Sequence, residues 1–184
     1  SEILKRAPNS VIWILHNSQD SKKNILAKFL EMSIPAKRVF FMSKLEFELH
    51  LNRITVADLG LDTFPVNGHT TTSEQLWSGL PVLTMKGTNF ASRVSESLLH
   101  AIGAPELIAE DEEAYTDMAV AFAQDPEALK NIRARIDANR FVKPLFDAER
   151  YCRHLETAFQ MMADRAKSGE TPDHFDVPAL PPRT

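Results

Sequence analysis

The stretch "ADLGLDTFPVNGHTTTSEQLWSGLPVLTM", residues 57–85, contains a strand, a loop, a helix and a second strand in succession. "ADLGLDT" (57–63) is a short and mainly apolar run, which is typical of a buried strand, and "PVLTM" (81–85) is another. The intervening helix is expected to run from Thr71 to Trp77, where a Ser-Gly-Leu-Pro sequence ends it. Two strands joined by a helix predict a parallel βαβ unit.

The same alternation extends in both directions along the chain. Three further runs are expected to be strands: "VIWILH" (11–16), "RVFFM" (38–42) and "ELIA" (106–109). The other expected helices are 21–34, 43–54, one that ends at Gly103, 111–124, 125–140 and 147–169. Short strands that alternate with helices predict an α/β fold, a parallel and doubly wound sheet, here with a helical C-terminal extension.

The composition is typical of one globular domain, with 184 residues, 43% of them hydrophobic and 25% charged. The boundaries are expected at 1–168 for the domain and 169–184 for an extended, proline-rich tail. A net charge of −4 argues against a nucleic-acid partner. No apolar run approaches the roughly 18 residues that a membrane span needs. The single cysteine, Cys152, cannot form an internal disulfide, which favours a cytoplasmic location.

Polar residues are concentrated just before the helix of the opening stretch, at Asn67, Gly68, His69, Thr70 and Thr71. A helix N-terminus offers free N–H groups and a partial positive charge, and so can bind an anion. Ligands of open parallel sheets bind beyond the carboxyl ends of the strands, where this loop is expected to lie. The segment is therefore a candidate phosphate site. No metal-binding motif is present, and no metal is expected.

A purely structural interpretation of the same residues stays open. Thr71 and Glu74 have the spacing of a capping box, which would stabilise the helix without any ligand. The preceding helix (43–54) is expected to begin in the same way, with Ser43 as the cap and Glu46 three residues later.

Two other polar pairs are candidates for contact with the same ligand. His50 and Arg53 are three residues apart on a predicted helix and therefore share one face. Ser92 and Arg93 begin the helix after the fourth strand, in a loop that could close over a diphosphate. Either pair can equally be an ordinary solvated pair or a connecting loop.

Taken together, "LDTFPVNGHTTTSEQLWSGLPVLTMKGTNFASRVSESLL" (61–99) resembles the catalytic region of the O-linked N-acetylglucosamine transferases and their SPINDLY-like relatives. The similarity runs from "ILKRAPNSVIWIL" (3–15) to "TPDHF" (171–175), and "PLF" (144–146) followed by Tyr151 agrees with it. The resemblance implies the second, Rossmann-like half of a GT-B glycosyltransferase, with helices on both faces of its parallel sheet. In that family, helical (TPR-type) repeats and the first GT-B half precede this region.

The resemblance also implies a site for a nucleotide sugar, either a UDP-sugar or a GDP-sugar. By position it implies six nucleotide-binding residues: His50, Arg53, His69, Thr70, Thr71 and Glu74. The first two would lie at the base and ribose, the next three at the diphosphate, and the last at the ribose hydroxyls. Asn67, Gly68, Ser92 and Arg93 would support the surrounding loops.

The implied activity is metal-free, inverting transfer of the sugar to serine or threonine side chains of protein acceptors. The catalytic residue and the other half of the cleft would precede residue 1, so that the chain alone is expected to be an inactive fragment. One departure is Phe47, where the family often has a lysine. It favours an alternative, a non-catalytic domain of a scaffold protein. A different GT-B enzyme, such as a sugar-nucleotide epimerase or a lipid-acceptor transferase, is another.

Overall fold

The computed structural model describes residues 1–181, in which short parallel strands alternate with helices. The strands are β1 (Ile12–Leu15), β2 (Val39–Met42), β3 (Gly60–Leu61), β4 (Val82–Met85) and β5 (Ile108–Ala109). The α-helices are α1 (Glu2–Arg6), α2 (Gln19–Glu31), α3 (Phe47–Ile54), α4 (Thr70–Trp77), α5 (Val94–Ile102), α6 (Glu112–Gln124), α7 (Pro126–Asn139) and α8 (Ala148–Lys167). The predicted α/β class, with parallel strands flanked by helices, is confirmed.

The five strands form two hydrogen-bonded sheets, where the sequence predicted a single one. β1 pairs with β2, with Ile12 opposite Val39. β4 lies between β3 and β5, and all of these pairs are parallel. In the described residues no ladder joins β1 to β3.

The gap between the sheets follows from the short length of β3, which has two residues where seven were predicted. The Ala57 N–H donates to Ile54 O and closes a turn at the end of α3. The guanidinium of Arg133, on α7, donates to the carbonyl oxygens of Thr55 and Ala57. The N–H and C=O of Ala57, the first residue of the predicted strand, are therefore bonded to a turn and to a side chain, and do not take part in a sheet ladder.

Three hydrophobic clusters hold the layers together. The largest packs α4, α5 and α7 against β4, and its buried members are Leu76, Val82, Leu99, Ile102, Ala104, Leu107, Ile132 and Ile136. A second cluster packs α6 on the other side of β4 and β5, through Leu83, Ala109, Tyr115 and Ala119. The third lies under β1 and β2 and has three buried members, Leu4, Ile34 and Val39. The β3–β5 layer is thus better buried than the β1–β2 layer.

The last helix, α8, contains no buried residue. Its large apolar side chains, Tyr151, Leu155, Phe159 and Met162, are exposed and follow one another at intervals of three or four residues. That spacing places them on one face of the helix. In the part of the chain that the structure describes, no helix is long and apolar enough to cross a membrane.

The tail after α8 contains neither helix nor strand from residue 170 to residue 181. The remaining residues of the predicted tail, 182–184, lie outside the described part. The division into a domain (1–168) and a tail (169–184) stays a prediction.

Tyr115, on α6, connects the second cluster to the end of β3. Its hydroxyl donates to the backbone oxygen of Asp62 at 2.9 Å, and its ring packs edge-on against Phe64. Burial raises the pKa of the Tyr115 hydroxyl far above its usual value, and the negative charge of Asp62 raises it further. Tyr115 therefore stays protonated and acts as a hydrogen-bond donor inside the fold.

We expect Leu99→Ala to lower the free energy of unfolding by about 2–5 kcal/mol, because Leu99 is fully buried and its removal leaves a cavity. Urea denaturation measures the change. Leu30→Ala makes the same substitution at a side chain that is half exposed, and should cost less than about 1 kcal/mol. Equal losses for the two variants would contradict the assigned core.

We expect the free energy of unfolding to fall above about pH 10 because of Tyr115, and this fall should be absent in the variant Tyr115→Phe. Because the folded state raises this pKa, only the unfolded chain loses the Tyr115 proton there. This contribution to stability is present below pH 10 and is lost as the pH rises. The stability difference between the unmodified protein and the variant should narrow by about 1.4 kcal/mol between pH 8 and pH 11.

Urea denaturation at the two pH values tests this expectation. The exposed Tyr151 is the other tyrosine of the chain, and Tyr151→Phe is the matched control. Its difference from the unmodified protein should be the same at both pH values. A constant difference for Tyr115→Phe as well would show that Tyr115 is not buried in its protonated form.

Candidate functional site

The loop before α4 is held by a buried carboxylate. Asp62 follows β3 directly and is 9% exposed. Its Oδ1 accepts the Gly68 N–H at 2.7 Å, and its Oδ2 accepts the hydroxyl of Thr84, in β4, at 2.6 Å. A buried carboxylate needs such donors, since an unpaired charge in the interior is costly. Asp62 thereby fixes the loop to the adjacent strand.

Asn67 ties the same loop to its surroundings on two sides. It is 4% exposed, and its Nδ2 donates to Thr63 O at 3.1 Å. Its backbone N–H donates to Ala91 O at 2.8 Å, in the segment that follows β4. The loop after β3 and the loop after β4 are thus in direct contact at the carboxyl edge of the sheet.

Neighbouring atoms leave no room for a side chain at position 68, so this position requires a glycine. A Cβ at this position would lie 2.5 Å from the Thr72 hydroxyl oxygen and 3.3 Å from Asp62 Oδ1. Its carbonyl oxygen accepts the hydroxyl of Ser95, a fully buried residue of α5, at 3.1 Å. Only a residue without a side chain allows this approach of α4, α5 and the loop.

The predicted capping box of Thr71 and Glu74 is wrong. α4 begins at Thr70 with His69 as its N-cap, and no side chain caps it. The first helical bond runs from the Ser73 N–H to His69 O at 3.1 Å. Thr71 therefore lies inside the first turn, where its hydroxyl cannot cap the helix.

The uncapped start leaves donors exposed at the end of α4. His69, Thr70 and Thr71 are exposed, and in the described chain their backbone N–H groups have no acceptor. The imidazole of His69 lies edge-on to the ring of Phe90, with 5.8 Å between the centroids. These three residues form one polar surface at the positive end of the helix dipole, and that they bind a phosphate stays a prediction.

Glu74 contacts α3, away from the start of its own helix. Its Oε2 lies 3.5 Å from the Nε2 of His50. Glu74 follows Thr70 by four residues and Thr71 by three, so the three side chains share one face of α4. Glu74, with His50 beside it, therefore lies on the same face of α4 as Thr70 and Thr71.

Arg53 acts on His50 in this arrangement. Its Nη2 donates to His50 Nδ1 at 2.9 Å, and its Nη1 donates to Ser43 O at 2.8 Å. A guanidinium has no acceptor, so Nδ1 must be the unprotonated nitrogen of the ring. The proton of the neutral imidazole is then on Nε2, the nitrogen that faces Glu74. Whether Arg53 also contacts a base or ribose stays a prediction.

The predicted capping box at the start of α3 is also wrong. The helix begins at Phe47, and its N-cap, Glu46, makes no side-chain cap. Ser43 lies before the helix, where its carbonyl oxygen serves Arg53. Phe47 is 60% exposed, at the start of the helix that carries His50.

The two supporting residues after β4 differ in their environments. Ser92 is buried, and its hydroxyl forms a capping box with Asn89 around a short helical turn. Arg93 is exposed, and its nearest carboxylate is Glu96, at 3.8 Å. Ser92 therefore shapes the loop, while Arg93 leaves its guanidinium in solvent.

Three buried polar residues of this site were missed in the sequence: Asp62, Thr84 and Ser95. Thr84 interrupts the apolar run "PVLTM", which is the available signal for a buried hydrogen bond, whereas Asp62 and Ser95 are each followed by another polar residue and give no such signal. Apart from the Gly68 N–H, six residues after Asp62, their partners lie between 17 and 53 residues away, so the pattern alone does not reveal them. Among the described residues, no group of three or more His, Cys, Asp or Glu side chains is arranged to hold a metal ion.

Comparisons with known proteins agree on one family. Residues 1–155 match the family described as glycosyl transferase family 41. The chain is 36% identical, over 174 residues, to the UDP-N-acetylglucosamine–peptide N-acetylglucosaminyltransferase of Caenorhabditis elegans. The matched region covers 95% of this chain and 15% of that protein. The chain is 32% identical, over 176 residues, to a probable enzyme of the same name, SEC, from Arabidopsis thaliana, covering 95% and 18%.

A solved structure supports the same assignment. The fold superposes on a mutant of the O-GlcNAc transferase of Thermobaculum terrenum with a TM-score of 0.79 and 25% identity, over 91% of this chain and 33% of that one. The chain thus spans less than a fifth of the two curated relatives and a third of the solved chain. With the family match over most of its length, the chain belongs to glycosyl transferase family 41.

Proposed function

We propose that this chain is the nucleotide-sugar-binding part of a protein O-linked glycosyltransferase with a UDP-GlcNAc-like donor. The observation that carries the proposal is the uncapped start of α4, where His69, Thr70 and Thr71 present N–H groups without acceptors. The names of the relatives, which are UDP-N-acetylglucosamine–peptide transferases, support the uridine nucleotide and the protein acceptor.

In the proposed reaction, the hydroxyl oxygen of an acceptor serine or threonine forms a bond to the anomeric carbon of the sugar. The bond between that carbon and the diphosphate breaks, and UDP leaves with the electron pair. The negative charge grows on the diphosphate, so donors fixed at the N-terminus of α4 stabilise the transition state more than the ground state. The reaction as proposed uses no metal. The hydroxyl proton of the acceptor passes to a base in the first GT-B half of the longer protein, outside this chain.

His50 and Glu74 are proposed to bind the ribose side of the nucleotide. They lie 3.5 Å apart between α3 and α4, and Arg53 orients the imidazole. Glu74 makes no cap on its own helix, so its carboxylate oxygens can accept hydrogen bonds from the hydroxyl groups of a ribose. In this proposal His50 contacts the nucleotide, and Arg53 holds the imidazole in place through its hydrogen bond to Nδ1.

We further propose that the chain works within a longer, cytoplasmic protein, whose first GT-B half and helical repeats complete the cleft. The small share of the relatives that the chain covers supports this arrangement, as does the exposed apolar face of α8. The exposed, unpaired Cys152 is compatible with a reducing compartment.

The full-length protein that contains this chain tests the proposal. We expect it to bind UDP and to transfer labelled N-acetylglucosamine from UDP-GlcNAc to serine or threonine of protein acceptors. GDP-fucose is the comparison donor, which distinguishes the two branches of the family. If neither UDP nor GDP binds in a calorimetric titration, the proposal is wrong.

A second function is favoured by one observation, the exposed Phe47 at the start of α3. A phenylalanine there cannot donate a hydrogen bond, so the site has fewer contacts to a nucleotide than a lysine would give. In this case the protein would be a non-catalytic scaffold that keeps the fold. Binding of UDP without transfer to any acceptor would select this function.

We expect His69→Ala to weaken UDP binding by about tenfold in the full-length protein, with its melting temperature nearly unchanged. The imidazole is exposed and caps nothing, so its loss removes a donor to the phosphate and little packing. His100→Ala is the control, because His100 is exposed near the C-terminal end of α5, and this variant should leave UDP binding unaltered. A large loss of stability with unaltered UDP binding would instead support a structural role.

A further inference from the structure

We propose that Ser95 is a positioning residue of the nucleotide site, which turns the His69 N–H towards the bound diphosphate. The inference rests on the proposed function, because the diphosphate belongs to that proposal. Ser95 does not contact the ligand. It acts through the peptide bond between Gly68 and His69.

The direction of the Ser95 hydrogen bond follows from its two partners. Its Oγ lies 3.1 Å from Gly68 O and 3.0 Å from the hydroxyl oxygen of Thr72. A carbonyl oxygen accepts only, so the single hydroxyl proton of Ser95 goes to Gly68 O. The Thr72 hydroxyl then donates to Ser95. All of these groups are buried or half-buried, and Ser95 is fully buried.

This hydrogen bond determines where the next N–H group points. The peptide bond between Gly68 and His69 is trans. In a trans peptide the C=O and N–H bonds point in opposite directions, so a carbonyl held by Ser95 directs the His69 N–H away from α5. That N–H has no acceptor in the described chain. It is therefore able to donate to a ligand at the exposed end of α4.

The position needs such a restraint because it contains a glycine. Glycine has the largest conformational freedom of any residue, and close packing against Thr72 demands a glycine here. Asp62 binds the Gly68 N–H at 2.7 Å, and Ser95 binds the Gly68 carbonyl. Both sides of the residue are thus held, one by the strand layer and one by α5.

The restraint matters most for a charged ligand. Hydrogen bonds to phosphate oxygens are strong, but they weaken steeply when the donor turns out of line. A nucleoside without phosphates would not use the His69 N–H at all. Loss of the Ser95 hydroxyl should therefore weaken binding of the diphosphate and leave the nucleoside contacts in place.

The experiment compares Ser95→Ala with Ser97→Ala in the full-length protein. Both variants lose one hydroxyl on α5, but Ser97 is exposed and lies on the outer face of the helix. UDP binding is measured by calorimetric titration, and uridine binding by displacement of UDP. For Ser95→Ala we expect the Kd of UDP to rise about tenfold, with the affinity for uridine unchanged within a factor of two. Ser97→Ala should change neither value.

A second variant covers the possibility that Ser95→Ala folds poorly. Thr72→Val keeps the shape of a buried side chain and removes the hydroxyl that donates to Ser95. It should weaken UDP binding in the same direction by a smaller factor. A Kd for UDP equal to that of the unmodified protein in both variants would overturn the inference.

Two other outcomes separate this inference from the proposal beneath it. Equal losses of UDP and uridine affinity would mean that the site as a whole has loosened, which would overturn the positioning role and leave the proposed function intact. If the unmodified protein binds neither UDP nor GDP, the proposed function itself fails, and the inference fails with it.

Discussion

The carboxylate of Asp62 is the group on which the arrangement of the site depends. It lies buried at the end of β3, and its two oxygens bind one donor from the loop and one from the neighbouring strand. Its own carbonyl oxygen accepts the Tyr115 hydroxyl from α6. A buried charge without a cation beside it is tolerated only when such donors are in place. The strand layer, the loop before α4 and the helix α6 are therefore fixed relative to one another by one residue.

Because Asp62 fixes the loop before α4, this helix can begin without a side-chain cap. An N-cap side chain typically contributes about 1 kcal/mol, and α4 lacks this contribution. Hydrophobic packing offsets the loss, since Leu76 is fully buried in the largest cluster. Local rules of helix formation are broken where a site needs free donors. The absent cap and the candidate phosphate site are therefore two aspects of the same feature.

Much of the fold could be predicted from the sequence because its signals are local. Apolar runs such as β1 and β4, and the glycine and proline that follow α4, predict elements without reference to distant residues. The capping boxes failed because spacing alone does not say where a helix begins: Ser43 and Thr71 have the right neighbours but the wrong positions. The predicted length of β3 was wrong for another reason: Arg133, which is 76 residues away, donates to the carbonyl oxygen of Ala57, the first residue of the predicted strand.

In the candidate site, too, the local features could be predicted from the sequence and the long-range contacts could not. Its exposed polar residues were evident as a cluster before α4, and the pairing of His50 with Arg53 followed from helical spacing. The contact of His50 with Glu74 and the support from Ser95 depend on the packing of separate helices. Such contacts come from tertiary structure, which periodicity does not contain.

The separation of the strands into two sheets has a consequence for the motions of the site. Among residues 1–181, no hydrogen-bonded ladder joins β1 to β3, and the β1–β2 layer packs on the smallest of the three clusters, with three buried residues. Local opening should therefore cost less free energy there than in the β3–β5 layer. Arg53 is tied to Ser43, just after β2, whereas Gly68 is tied to β3 and β4 through Asp62. On the ribose side of the candidate site, Arg53 and His50 are thus tied to the layer that opens more easily, whereas Glu74 and the phosphate side belong to α4 and the more stable layer. A nucleotide would therefore be held most firmly at its phosphates and less firmly where it meets α3.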